Sequence, residues 1–278
     1  MFTIKSMTAI AVKRMFVPMA ASLTMFFASC SKEDSTAPIT TDDEVLVAPN
    51  QAGFVKQPAL WSVKTLTGSR ASEAGGINPQ YLLYTTSTYN THTSSKWPVI
   101  IFLHGIGERG TNINVIKNVG LPKKIGNQTD FMFLVIAPQC KPDTWWDIRS
   151  LNALYAEVIE KYNVDPQRIY LTGLSMGGYG AWDWAMLNPE KFAAVAPICG
   201  GADYLDKAAN MKNVPAWTFH NANDPTVGVE NTREIVRVLR NAGNTRVKYT
   251  ENPTGGHDAW TKAYANNDLY SWFKSYRK

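Results

Sequence analysis

Residues 168–179 run Arg168-Ile169-Tyr170-Leu171-Thr172-Gly173-Leu174-Ser175-Met176-Gly177-Gly178-Tyr179. The first five read as an apolar, β-branched strand. Gly173 to Gly177 follow with G-x-S-x-G spacing, and Tyr179–Leu187 reads as a helix stopped by Asn188-Pro189. Strand, sharp turn and helix in direct succession is the setting in which this motif lifts a serine hydroxyl to the edge of a sheet. The glycines serve the turn, because side chains there would collide in so tight a bend. The helix N-terminus just beyond favours negative charge nearby. A glycine-rich loop with an incidental serine would spell the same five letters. The flanking strand and helix make Ser175 the candidate nucleophile.

Outward from this turn the chain alternates strand and helix. Trp61–Leu66 and Tyr81–Thr86 read as an opening hairpin, split by turn residues at Gly75–Pro79. Val99–Leu103, Phe131–Ala137, Ile169–Thr172, Ala193–Ile198, Ala216–Phe219 and Val247–Thr250 are short apolar runs without strict alternation. That pattern suits strands buried on both faces of a parallel sheet. Leu151–Tyr162 carries a one-face apolar stripe, Asn231–Asn241 reads as a helix ending at Gly243, and a last helix is expected from about Ala259 to about Tyr276. The βαβ rhythm implies one doubly wound α/β domain.

A nucleophilic serine needs a base, an acid and donors for the developing oxyanion. Of four histidines, His257 follows the last strand behind Gly255-Gly256 and is the candidate base. His92 lies in a Thr/Ser-rich loop, His104 ends the Val99–Leu103 strand beside glycines and is expected to brace that loop rather than abstract a proton, and His220 is expected to shape the acid loop. The acid should follow a strand between serine and histidine. Asp224, in His220-Asn221-Ala222-Asn223-Asp224-Pro225, meets this, and Asp203 is the rival. The oxyanion donors are expected at the N–H of Met176 and in the loop His104-Gly105-Ile106-Gly107-Glu108-Arg109-Gly110, at Ile106 or, second, Gly107. Glu108 and Arg109 are expected to pair and brace that loop. Trp145 and Trp146, with His104 and Gly105, are the candidate substrate-binding residues; flat indole rings suit sugars and phenolics, although both tryptophans could equally cap the core. No metal-ligand spacing stands out.

The first thirty residues read as an address. A basic start (Lys5, Lys13, Arg14) precedes an apolar run near Val17–Phe27 and the small residues Ala28-Ser29-Cys30. The run is too short for a membrane span and fits a signal peptide, residues 1–29. The cysteine after Phe27-Ala28-Ser29 resembles a lipoprotein box, so Cys30 is the expected lipidation site; a plain signal peptide is the alternative. Residues 30–58 are polar and suit a flexible tether, and the catalytic domain is expected at 59–278. Without residues 1–29 the balance falls from 28 basic against 23 acidic residues to 25 against 23, which gives no case for nucleic-acid binding. Cys140 and Cys199 remain; export permits a disulfide between them without requiring one.

The chain resembles the α/β-hydrolase superfamily over about residues 60–278. The resemblance rests on Phe102–Gly110, Ala137-Pro138-Gln139-Cys140 with Trp145-Trp146, Tyr170–Gly178, Asp224-Pro225-Thr226-Val227 and Gly256-His257-Asp258-Ala259-Trp260. It is similar in particular to the branch holding feruloyl esterases, acetylxylan esterases and polyhydroxybutyrate depolymerases. That resemblance implies a mostly parallel sheet of about eight strands, a serine–histidine–aspartate triad and no cofactor. No insertion between Cys199 and Ala216 is long enough for a lid domain. The implied partner is an ester, small or linked to polysaccharide, while the lipoprotein box, with Ser31-Lys32-Glu33-Asp34 resembling a surface-export tag, implies the outer membrane or cell surface (alternatively periplasmic or secreted). A peptidase of the prolyl-oligopeptidase type and a non-catalytic surface carbohydrate-binding lipoprotein are the competing readings.

Overall fold

The structure, a computed structural model, describes residues 60–89 and 94–278. The leader, the tether, Cys30 and His92 lie outside the described residues, so the expectations placed on them are not addressed by the fold.

Eight strands form one sheet: β1 (Leu60–Thr65), β2 (Ile77–Thr85), β3 (Trp97–Leu103), β4 (Leu134–Cys140), β5 (Val164–Leu174), β6 (Ala194–Ile198), β7 (Ala216–Asn221) and β8 (Val247–Asn252). Their order is β1-β2-β4-β3-β5-β6-β7-β8. β1 and β2 are antiparallel, β2 is antiparallel to β4, and every pairing from β4 to β8 is parallel. The expected α/β architecture with a mostly parallel sheet is therefore present. Among the described residues seven α-helices flank it: α1 (Ser69–Glu73), α2 (Gly120–Ile125), α3 (Ile148–Lys161), α4 (Met176–Leu187), α5 (Glu230–Asn241), α6 (Trp260–Ala265) and α7 (Asn267–Lys274).

The non-alternating strands have a simple cause. Successive side chains of a strand point to opposite faces, and here both faces are covered. Val99, Ile101, Leu134, Ile136, Ile169 and Leu171 join the core under α3, α4 and α5. Their neighbours Ile100, Val135 and Tyr170 join the core under α2, α6 and α7. Helix α4 has no polar stripe because it is covered nearly all round; Trp182 and Trp184 are fully buried in it.

Several boundaries differ from the sequence expectation. β1 and β2 do pair, but the short helix α1 lies between them, and β2 starts at Ile77 with a register shift before Tyr81. β4 begins at Leu134 and runs through Pro138 to Cys140. Proline is tolerated there because β3 pairs β4 only as far as Ile136, while β2 continues beside it. The aromatic residues Phe131 and Phe133 instead pack against Tyr270. The single last helix is two, broken at Asn266, whose extended backbone and side-chain acceptor for Asp268 N start α7 afresh. Cys140 and Cys199 are both buried and free, so they form no disulfide. Between β6 and β7 the only helical piece is the 3₁₀ segment Leu205–Met211, and no lid domain is inserted there.

Candidate active site

The turn between β5 and α4 is made by close backbone approach. A Cβ on Gly173 would lie 2.2 Å from Gly177 O, one on Gly177 2.1 Å from Leu103 O, and one on Gly178 2.5 Å from Ile198 O. Only glycine lets the turn press against β3 and β6 this tightly. Ser175 itself sits at φ 53°, ψ −117°, a conformation that costs a non-glycine residue energy and persists only where its surroundings impose it. Its N–H donates to Ile198 O at 3.0 Å, tying the turn to β6.

Two loops bring partners to this hydroxyl. After β7, Asp224 is buried, with a side chain fully shielded from solvent. After β8, His257 lies behind Gly255 and Gly256, both at positive φ. His257 Nδ1 is 2.7 Å from Asp224 Oδ2, and Nε2 is 2.8 Å from Ser175 Oγ. A carboxylate only accepts, so Nδ1 carries the ring proton and Nε2 accepts from the serine hydroxyl. Asp224 Oδ1 accepts from Thr226 N at 2.8 Å and Val227 N at 3.0 Å. Burial pushes the Asp224 carboxyl up, but the bonds from His257, Val227 and Thr226 outweigh it and hold the group below the ordinary aspartate range. Asp203 is elsewhere: its backbone N–H donates to Asp183 Oδ1.

The loop after β3 abuts the serine. A Cβ on Gly105 would lie 2.9 Å from Leu174 Cδ1 and 3.7 Å from Ser175 Cβ. Ile106 opens a short 3₁₀ turn, Ile106–Glu108, and its side chain is exposed. Met176 is the first residue of α4, and its N–H belongs to the first turn, which has no acceptor within the helix. The Met176 amide directly follows Ser175 in the chain, and Ile106 directly follows Gly105, the loop residue that abuts the serine. The expected Glu108–Arg109 pair is absent. Arg109 Nη1 instead donates to Thr144 O, and Gln139 Nε2 holds the loop by donating to Glu108 O at 2.8 Å and Asn112 O at 3.0 Å. Asn78 Nδ2 donates to Gly110 O and to Gln139 Oε1.

The four residues expected to bind substrate divide. His104 is fully buried, accepts from Cys140 N at Nε2 and donates from Nδ1 to Gly105 O. Burial brings its pKa down to about 4, so it is a neutral brace with no face toward a ligand. Trp146 is buried beneath it, ring centroids 4.8 Å apart, with Nε1 donating to His104 O. Gly105 is buried as well, as backbone of the loop. Trp145 alone is half-buried, edge-on to Tyr179 at 6.0 Å. Trp146 and His104 thus belong to the core that supports the loop, because the indole fills the space above Gly180, where a Cβ would lie 2.7 Å from its ring.

Sequence reasoning passed over the residues that join the loops. Asn221 Nδ2 donates to Gly256 O, Asn223 Oδ1 accepts from Gly256 N, and Asn252 Nδ2 donates to Asn221 Oδ1. Asn221 and Asn223 stand beside Asp224 in the chain, but their partners are more than thirty residues away, which no local pattern reveals. Cys199 is also close; its thiol and ligand atoms of Asp224 and His257 lie within 4.8 Å of one another. Burial pushes that thiol up to about 12, and the carboxylate and imidazole are already hydrogen-bonded, so this cluster suits a metal poorly.

No family model matches the chain. It is 25% identical to a poly(3-hydroxyoctanoate) depolymerase of Pseudomonas fluorescens over 238 residues, covering 73% of this chain and 82% of that protein. It is 26% identical to a bifunctional acetylxylan esterase/xylanase of Neocallimastix patriciarum over 138 residues, 47% of this chain and 18% of that larger protein. A solved thermostable esterase superposes with a TM-score of 0.68 at 31% identity, over 81% of this chain and 64% of that one. The chain thus spans less than two thirds of two of these three proteins. By fold this chain is an α/β-hydrolase, and these three proteins are ester-cleaving hydrolases by name.

Proposed function

We propose that this protein is an exported serine carboxylic-ester hydrolase that works through an acyl-enzyme on Ser175. The observation that carries the reading is the unbroken row Ser175 Oγ, His257, Asp224, at 2.8 and 2.7 Å, beside a strained turn. Ser175 Oγ attacks the ester carbonyl carbon while His257 Nε2 takes the hydroxyl proton. Asp224 holds the ring's tautomer and stabilises the imidazolium. The N–H groups of Met176 and Ile106 meet the negative charge on the former carbonyl oxygen. His257 then gives its proton to the leaving alcohol, and water, deprotonated by the same nitrogen, releases the acid.

The substrate class we assign is carbohydrate-linked esters of plant cell walls, feruloyl or acetyl. The acetylxylan esterase relative, the half-buried Trp145 beside Tyr179 and the lack of a lid between β6 and β7 support it. Lipid attachment at Cys30 would hold the enzyme at a membrane surface. The test is a panel of methyl ferulate, acetylated xylan, short p-nitrophenyl esters and a peptide p-nitroanilide, with Ser175→Ala alongside. Ester cleavage by the wild type that disappears in the variant supports the reading. Faster cleavage of the peptide than of any ester, or full ester turnover by Ser175→Ala, sinks it.

A further inference from the structure

Asp224 Oδ2 has a second imidazole beside it. His220 Nε2 lies 3.1 Å from this oxygen and 2.9 Å from Val227 O. Both neighbours only accept, so Nε2 carries a proton and is shared between them. On the other side of the ring, His220 Nδ1 is 2.7 Å from Thr232 Oγ1 of α5, and that oxygen is 3.2 Å from Gly200 O. His220 and Thr232 are fully buried. Burial lowers the His220 pKa, against the opposing pull of Val227 O and Asp224. A neutral ring with its proton on Nε2 must accept at Nδ1, so the single Thr232 hydroxyl proton goes to that nitrogen at 2.7 Å and not to Gly200 O at 3.2 Å. The charged and titratable groups around this ring are Asp224 on the acid loop, His257 beyond it and Glu251 on β8, with the Cys199 thiol near Asp224.

Asp224 therefore receives four donors: the amides of Thr226 and Val227 on Oδ1, and two imidazoles on Oδ2. One imidazole is the base. The other is held by a threonine on a different helix and cannot reach Ser175. We propose that His220 is a positioning residue for the triad: its Nε2–H fixes Oδ2 of Asp224 at the angle that keeps His257 Nδ1 in line, and Thr232 fixes the tautomer of His220. The device also links the acid loop to α5. Losing the bond leaves a buried carboxylate oxygen with one donor fewer and frees it to rotate away from the base. This rests on the Ser175–His257–Asp224 reading above.

The test compares His220→Phe, His220→Gln and Thr232→Val on the ester that the wild type turns over best. Phenylalanine fills the ring volume without a donor. Glutamine can place an N–H near the site of Nε2. We expect His220→Phe to lower kcat by on the order of tenfold to a hundredfold, the loss expected for one hydrogen bond to a charged group, with KM within about twofold. His220→Gln should recover most of that loss, and Thr232→Val should lower kcat less than His220→Phe does. The downfield proton resonance of the His257–Asp224 bond should shift or broaden in His220→Phe while thermal unfolding stays cooperative. If His220→Phe does not fold, glutamine and valine decide: near-wild-type kcat in Thr232→Val, or a kcat in His220→Gln as low as that of Ser175→Ala, overturns the inference. Wild-type kcat and an unmoved resonance in folded His220→Phe also overturn it. Activity that survives Ser175→Ala removes the underlying reading instead, so the two failures are distinguishable.

Discussion

His104 shows how one residue couples loop geometry to pH. Its ring is buried neutral, with the pKa pushed down from 6.5 to about 4. The unfolded chain binds a proton that the folded chain refuses between these values. The stability from this site is therefore complete above about pH 6.5 and is lost as pH falls toward about 4, at most on the order of 3 kcal/mol. His220, also lowered by burial, contributes in the same direction. His104→Gln keeps an acceptor for Cys140 N–H and removes the titration. Chemical denaturation at about pH 7 and about pH 4.5 should show a smaller stability difference in this variant than in the wild type; an equal difference would place the acid sensitivity elsewhere. The sequence placed His104 beside the glycines of the loop after β3 and read its ring as a brace, but its partner Cys140 stands thirty-six residues away.

Among the elements, the break between α6 and α7 is instructive. Asn266-Asn267-Asp268 carries a helix-start signal that the apolar residues on either side obscure. Asn266 Oδ1 accepts from Asp268 N, and the buried residues Leu269 and Phe273 then point into the core under the sheet. Asn266→Ala should cost about 1 kcal/mol of stability by urea unfolding. Because the His257 loop enters α6 and not α7, kcat should stay at the wild-type level; a fall in kcat larger than twofold would mean that α7 holds the base in place. The strand ends tell a similar story. Phe131 to Phe133 have strand-like composition yet lie before β4, since their rings are used against Tyr270 rather than in a ladder. Composition reports burial well and hydrogen-bonded pairing poorly.

On the scale of the whole molecule, the sheet brings the ends of β3, β5, β7 and β8 to one edge, where Gly105, Ser175, Asp224 and His257 meet. Among the described residues no helix is long and apolar enough to cross a membrane. The membrane attachment proposed above is through lipid on Cys30, the first residue of the tether. Cys30→Ser should move the protein from the membrane pellet to the soluble fraction without changing kcat; a variant that stays in the pellet removes the lipid anchor from the proposal.

The order of apolar runs and the turn at Gly173–Gly177 were enough to indicate the parallel sheet, because burial on both faces and tight turns leave a mark on residues next to one another in the chain. The same local logic singled out Ser175, His257 and Asp224 as candidates. What it could not supply were the bonds between loops: Asn221 to Gly256, Gln139 to Glu108, His220 to Asp224 and Thr232. Nor could it tell Trp145, half open to solvent, from Trp146, sealed over Gly180. Periodicity records which side of an element is dry. Which polar atom answers another across the sheet edge is decided only when the chain closes, since a hydrogen bond depends on distance and angle and not on separation in sequence.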